Sequence, residues 1–86
     1  MYVILVYDID ETRVNRVLKT CRKYLVWVQR SVFEGEITEG RLELLRAELG
    51  KIMRDQDYVV IYRMENRKGV KREILGRVTD PDSNVI

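Results

Sequence analysis

Met1-Tyr2-Val3-Ile4-Leu5-Val6-Tyr7-Asp8-Ile9-Asp10 opens the chain as an apolar run that ends abruptly in acid. Side chains along a strand alternate, so Tyr2, Ile4, Val6 and Asp8 share one face while Val3, Leu5, Tyr7 and Ile9 share the other. Both faces are apolar, which is the pattern of a central strand covered on both sides. Asp8 is delivered on the face of Ile4 and Val6, where the strand runs out into a loop. A carboxylate at that place is the leading candidate for chemistry. The alternative is that Asp8 or Asp10 only caps the helix that follows.

Beyond Asp10, the apolar residues Val14, Val17, Leu18, Cys21 and Leu25 recur at helical spacing, with Asp10 or Thr12 as the expected N-cap. The opposite face carries Arg16, Lys19 and Lys23, a stripe that can track phosphates. Residues 25–37 are rich in β-branched and aromatic side chains and read as extended, with a reversal near Gln29 to Ser31 that makes two strands of them. Thr38 is the expected cap of a second helix, whose stripe is Leu42, Leu45, Leu49, Ile52 and Met53, widened by Leu44 and Ala47. Glu48 and Lys51, three apart, read as an ordinary surface pair on that helix. Asp55-Gln56-Asp57 turns the chain into Tyr58-Val59-Val60-Ile61-Tyr62-Arg63-Met64, a second strand apolar on both faces and expected to be central like the first.

The order strand, helix, strand, strand, helix, strand specifies an α+β class, a ferredoxin-like βαββαβ sandwich: a four-stranded antiparallel sheet with two helices on one face. A short C-terminal strand is expected in addition. Residues 1–78 would form the domain and residues 79–86, with the turn Asp80-Pro81-Asp82, a tail packing on a partner protomer. Two helices cover one face of a sheet, so the other apolar face needs a partner, most simply a second copy across a two-fold axis.

Composition narrows the chemistry. Eighty-six residues with 45% hydrophobic and 35% charged side chains suit one soluble domain. No apolar run approaches the ~20 residues of a membrane span, and the first residues lack a basic leader, so a cytoplasmic protein with no membrane role is expected. The single cysteine, Cys21, cannot form an internal disulfide and falls in an apolar stripe. With no histidine in the chain, the commonest general base and metal ligand is absent, and hydrolysis would lean on carboxylates and a metal. The net charge is only +2, yet it is sorted. Residues 13–30 hold six bases (Arg13, Arg16, Lys19, Arg22, Lys23, Arg30) and no acids; residues 31–57 hold seven acids and four bases; residues 58–77 hold six bases and two acids. Two basic segments around an acidic one suit a polyanionic partner, although a basic helix face is often only solvated.

Val-Tyr-Asp-Ile at 6–9 and Val-Gln-Arg-Ser-Val-Phe-Glu-Gly-Glu-Ile at 28–37, followed by a leucine-rich helix, resemble the small nuclease-type subunit family of CRISPR adaptation, the ferredoxin-like CRISPR-associated endoribonucleases that partner the spacer integrase. The likeness runs through nearly the whole chain and includes the Leu-Gly-Arg around residue 76. What the resemblance implies is a homodimer in which two Asp8 carboxylates face each other and share a divalent metal, Mg²⁺ or Mn²⁺, in metal-dependent hydrolysis of RNA or double-stranded DNA. It also implies a scaffold that grips duplex DNA between integrase subunits. By the same match Tyr7 would flank the metal, Arg13 and Arg16 would contact phosphate, and Ser31 and Phe33 would shape the cleft floor. Lys19, Lys23 and Arg30 complete the expected nucleic-acid contacts. Trp27 departs from the family pattern, since many relatives carry arginine there, and Arg30 is placed to take over that contact.

Three other readings remain on the sequence: a DNA-binding scaffold with no catalysis, a ferredoxin-like RNA binder that stacks bases on sheet aromatics, and a toxin-type ribonuclease on the same fold. The second needs a Lys/Arg-Gly-Phe/Tyr type motif on the inner strands, which this chain lacks. Gene neighbourhood separates the third.

Overall fold

The structure, a computed structural model, describes residues 1–76. The expected C-terminal strand, the boundary at residue 78 and the tail lie outside the described residues. The elements are β1 (Tyr2–Asp8), α1 (Val14–Arg22), β2 (Val26–Gln29), β3 (Val32–Glu36), α2 (Glu39–Ile52) and β4 (Tyr58–Met64), with a 3-10 turn at Arg67–Gly69. The sheet runs β2-β3-β1-β4 and every neighbouring pair is antiparallel, which is the ferredoxin-like arrangement.

β1 is central, as its two apolar faces require, with Leu5 opposite Phe33 on one side and Ile61 on the other. Its Val3, Leu5 and Tyr7 join Val17, Cys21, Phe33, Leu42, Leu45, Leu49 and Ile52 in one buried core between sheet and helices. Burial pushes the Cys21 thiol up to about 12, so it is a core residue without thiolate chemistry. β4 is not central. It forms the sheet edge beside β1, and among the described residues no further layer covers its second apolar face.

The local expectations hold in part. The chain reverses at Arg30–Ser31, with a register irregularity on β2 between Trp27 and Gln29. At Gly35 a Cβ would come 3.4 Å from Leu25 Cδ2, so this glycine marks a close approach. Thr38 caps α2 by accepting from the Arg41 N–H at 3.2 Å. Leu44 and Ala47 are exposed and do not widen the buried stripe. Glu48 does not turn to Lys51: it accepts a hydrogen bond from Tyr24 Oη and forms an ion pair with Lys23, and the i,i+3 pair of α2 is Glu43–Arg46. Neither Asp10 nor Thr12 is the N-cap of α1, which begins after Arg13. Asp10 instead closes a turn on Thr12, accepting its backbone N–H and hydroxyl. At the far end of α2, Arg54 donates to the carbonyls of Lys51, Ile52 and Met53, groups the helix leaves unpaired.

Candidate functional site

Alternation in β1 sends Val3, Leu5 and Tyr7 to the helices and Ile4, Val6 and Asp8 to the other face. The register extends that second face: Ile4 lies opposite Tyr62, Val6 opposite Val60 and Asp8 opposite Tyr58 on β4. Tyr58, Val60 and Tyr62 are 55%, 38% and 57% exposed, an unusual amount for three large side chains in a row. The exposed carboxylate of Asp8 thus stands at the end of an open, largely apolar surface. The other end of this surface is closed by the chain itself. Arg67 lies over the Tyr2 ring at 5.8 Å, Arg72 pairs with the buried Glu34, and Tyr2 is buried as a result.

The loop that follows Asp8 is pinned by a residue that the sequence shows only as part of a turn. Asp57, with its side chain 2% exposed, accepts from the Asp10 N–H at 2.9 Å and the Arg54 N–H at 2.9 Å, and from Arg13 through Nε at 2.7 Å and Nη2 at 3.1 Å. The Arg13 guanidinium and these backbone bonds hold its carboxyl well below the usual carboxylate range. This knot ties the exit of β1 to the entry of β4, the two strand ends that carry Asp8 and Tyr58. An acid beside a turn is too common to announce such a role, and its partner lies 44 positions away.

Tyr7, Ser31 and Phe33 do not form a cleft beside Asp8. Tyr7 is next to Asp8 in sequence and therefore points to the opposite face, where its ring stacks against Phe33 at 6.2 Å between centroids and its hydroxyl reaches the Arg30 carbonyl at 3.4 Å. Phe33 is wholly buried. Ser31 contributes its carbonyl, which accepts the Tyr7 N–H at 3.1 Å. Trp27 donates its indole N–H to the same Arg30 carbonyl at 2.9 Å and receives the Arg22 guanidinium over its ring at 5.5 Å, so it helps to organise the hairpin. Arg30 sits at the tip with φ of 39°, in the left-handed region, its side chain exposed.

The expected phosphate contacts divide into two groups. Arg13 and Lys23 are committed to Asp57 and Glu48. Arg16, Lys19 and Arg30 are exposed and make no ion pair with any described residue. Among the described residues no three His, Cys, Asp or Glu side chains gather as a metal site, and within them Asp8 stands as a single carboxylate. No helix among them is long and apolar enough to cross a membrane.

Residues 1–72 match the family described as CRISPR associated protein Cas2. The chain is 51% identical over 77 residues to the "CRISPR-associated endoribonuclease Cas2" of Dictyoglomus turgidum, covering 88% of each chain. It is 46% identical over 87 aligned positions to the protein of the same description from Thermococcus kodakarensis, covering 100% of both. A solved structure described as "Crystal structure of cas2" superposes with a TM-score of 0.86 at 42% identity, over 100% of this chain and 98% of that one. With its fold, the Asp8-ended strand and these matches in agreement, the chain belongs to the Cas2 family.

Proposed function

We propose that the protein acts in CRISPR adaptation as a homodimer that binds RNA or double-stranded DNA and cleaves phosphodiesters in a metal-dependent way, while scaffolding the integrase subunit. The observation that carries this reading is position: Asp8 ends the one sheet face that the helices leave open, beside exposed Tyr58, Val60 and Tyr62. Covering that face with a second copy buries the apolar side chains and brings a second Asp8 to the first. A lone carboxylate, as Asp8 is among the described residues, is a poor cation site, whereas two with waters match the oxygen donors that Mg²⁺ or Mn²⁺ prefers. Such a cation, when bound, supplies Lewis acidity toward the phosphodiester and activation of water, for which this chain has no histidine. The endoribonuclease descriptions of relatives at 51% and 46% identity support a nuclease.

The residues of the chain have separate tasks in this scheme. Asp8 supplies charge, the Asp57 knot fixes the loop behind it, and Arg16, Lys19 and Arg30 attract the nucleic-acid backbone without reading bases. The test is cleavage of RNA and duplex DNA with and without chelator, together with duplex affinity, for wild type and Asp8→Asn. Metal-dependent cleavage should vanish in the variant while duplex affinity and dimerisation persist. Cleavage that survives in Asp8→Asn refutes the assigned site, and tight duplex binding by a wild type that never cleaves leaves the non-catalytic scaffold.

A further inference from the structure

α1 and α2 meet along a seam that encloses a groove of about 390 Å³, lined by Arg16, Lys19, Thr20, Glu48, Lys51 and Ile52. All of these belong to the two helices, so the groove lies in the helical layer, across the sheet from the open face that carries Asp8. Thr20 and Ile52 are buried and form its floor. The sequence spacing pairs Glu48 with Lys51, which would neutralise one of the three cations that line the groove. The structure does otherwise: both oxygens of Glu48 are engaged, one by Lys23 and one by Tyr24, and these bonds hold its carboxyl below the usual range. Arg16, Lys19 and Lys51 are left with no ion pair to any described residue. Three cations therefore line a concave site whose single acid, although its charge is felt by Lys51, is hydrogen-bonded to Lys23 and Tyr24, and an added anion lowers the repulsion among the three.

The groove also has a definite place. α1 starts just after β1 ends and α2 ends just before β4 begins, so Arg16 and Lys51 lie toward the end of the molecule where Asp8 pairs with Tyr58. We propose that this groove is a second anion subsite, taking a backbone phosphate of a nucleic acid that runs over the helical layer from the Asp8 end. The inference rests on the reading that the protein binds nucleic acid, and it adds a face to that reading. Its lining favours phosphate over a protein surface, because it offers a guanidinium and two ammonium groups and no exposed aromatic or aliphatic anchor.

The experiment measures affinity of the full chain for a labelled DNA duplex and the matching RNA duplex across a salt series. Lys19→Glu and Lys51→Glu are compared with Lys68→Glu, which changes the net charge equally in the turn after β4. Each groove variant should weaken binding about tenfold at low salt, and the slope of log affinity against log salt should fall by about 0.9 for each phosphate no longer neutralised. Lys68→Glu should change affinity less than threefold, and Lys51→Arg should keep wild-type binding. Thermal unfolding checks each variant, with Lys51→Ala replacing any glutamate variant that fails to fold. Equal affinities for the groove variants and Lys68→Glu overturn the subsite. Loss of polyglutamate binding with duplex binding intact assigns the groove to an acidic protein and overturns it too. Failure of the wild type to bind either duplex instead overturns the nucleic-acid reading beneath it.

Discussion

Arg13 and Asp57 grip each other through two hydrogen bonds, Nε to Oδ2 at 2.7 Å and Nη2 to Oδ1 at 3.1 Å, across 44 positions of sequence. The carboxylate also takes the N–H groups of Asp10 and Arg54, so one side chain joins the loop after Asp8 to the loop before Tyr58. A carboxylate with this many donors is strongly favoured in its charged form. Its first task is to hold the shape of the end of the sheet that carries Asp8.

Asp57→Ala should therefore lower the melting temperature by about 10 °C or more, because it strands the Arg13 guanidinium and two backbone donors at once. The pH dependence has a defined sign. The folded-state pKa of Asp57 is depressed, so its contribution is complete above the unfolded value of about 3.9 and is lost as pH falls below that toward the folded value. Acid titrations followed by circular dichroism should show a steeper loss of stability below about pH 4 in wild type than in Asp57→Asn. Parallel acid limbs would mean that the knot does not set the acid stability of the fold.

Arg13 and Arg16 should then separate, although the sequence presents them as equivalent phosphate contacts. Arg13→Ala should cost stability and leave duplex affinity within about threefold, since its guanidinium is spent on Asp57. Arg16→Ala should leave the melting temperature nearly unchanged and lower the salt slope of duplex binding by about 0.9. Melting curves and salt-dependent binding on the two variants decide it, and equal reductions in affinity would restore the simpler sequence reading.

At the hairpin, Trp27 and Tyr7 both donate to the carbonyl of Arg30, a residue held at a φ of 39°. Trp27→Phe keeps a ring for Arg22 to lie on but removes a hydrogen bond of about 1 kcal/mol, so the melting temperature should fall by roughly 4–8 °C. Arg30→Gly should stay within about 3 °C of wild type, because relief of left-handed strain offsets the added backbone entropy. A large drop in Arg30→Gly would mean that the arginine side chain, not the turn, holds the hairpin.

What the sequence made legible follows the range of each interaction. The two faces of β1, the stripe of α2 and the reversal near Arg30 depend on periodicity and turn chemistry within a few residues, and they could be read directly. The Arg13–Asp57 knot, the turn of Glu48 away from Lys51 toward Lys23 and Tyr24, and the edge position of β4 depend on which segments meet in space. Alternation alone puts Tyr7 on the face away from Asp8, whereas the family likeness implies a place beside a shared metal site. Asp8 itself was visible because it interrupts an apolar strand, and its surroundings on β4 became clear only from the register.

The open face makes the last prediction. Val60 and Tyr62 lie opposite Val6 and Ile4, exposed in the single chain and flanking the line that leads to Asp8. If a second copy covers this face, Val60→Asp and Tyr62→Asp place an unpaired charge in an apolar interface and should weaken dimerisation on the order of 100-fold. The fold should survive, because neither side chain belongs to the buried core between sheet and helices. Asp8→Asn should leave the dimer intact or slightly tighter in the absence of metal, since it removes repulsion between facing carboxylates. Sedimentation across a concentration series, with circular dichroism for the fold, measures all three variants. The two aspartate variants should run as folded monomers at concentrations where wild type and Asp8→Asn run as dimers. A wild type that is monomeric throughout would sink the shared Asp8 site, and dimers unaffected by either aspartate would move the interface to another face of the protein.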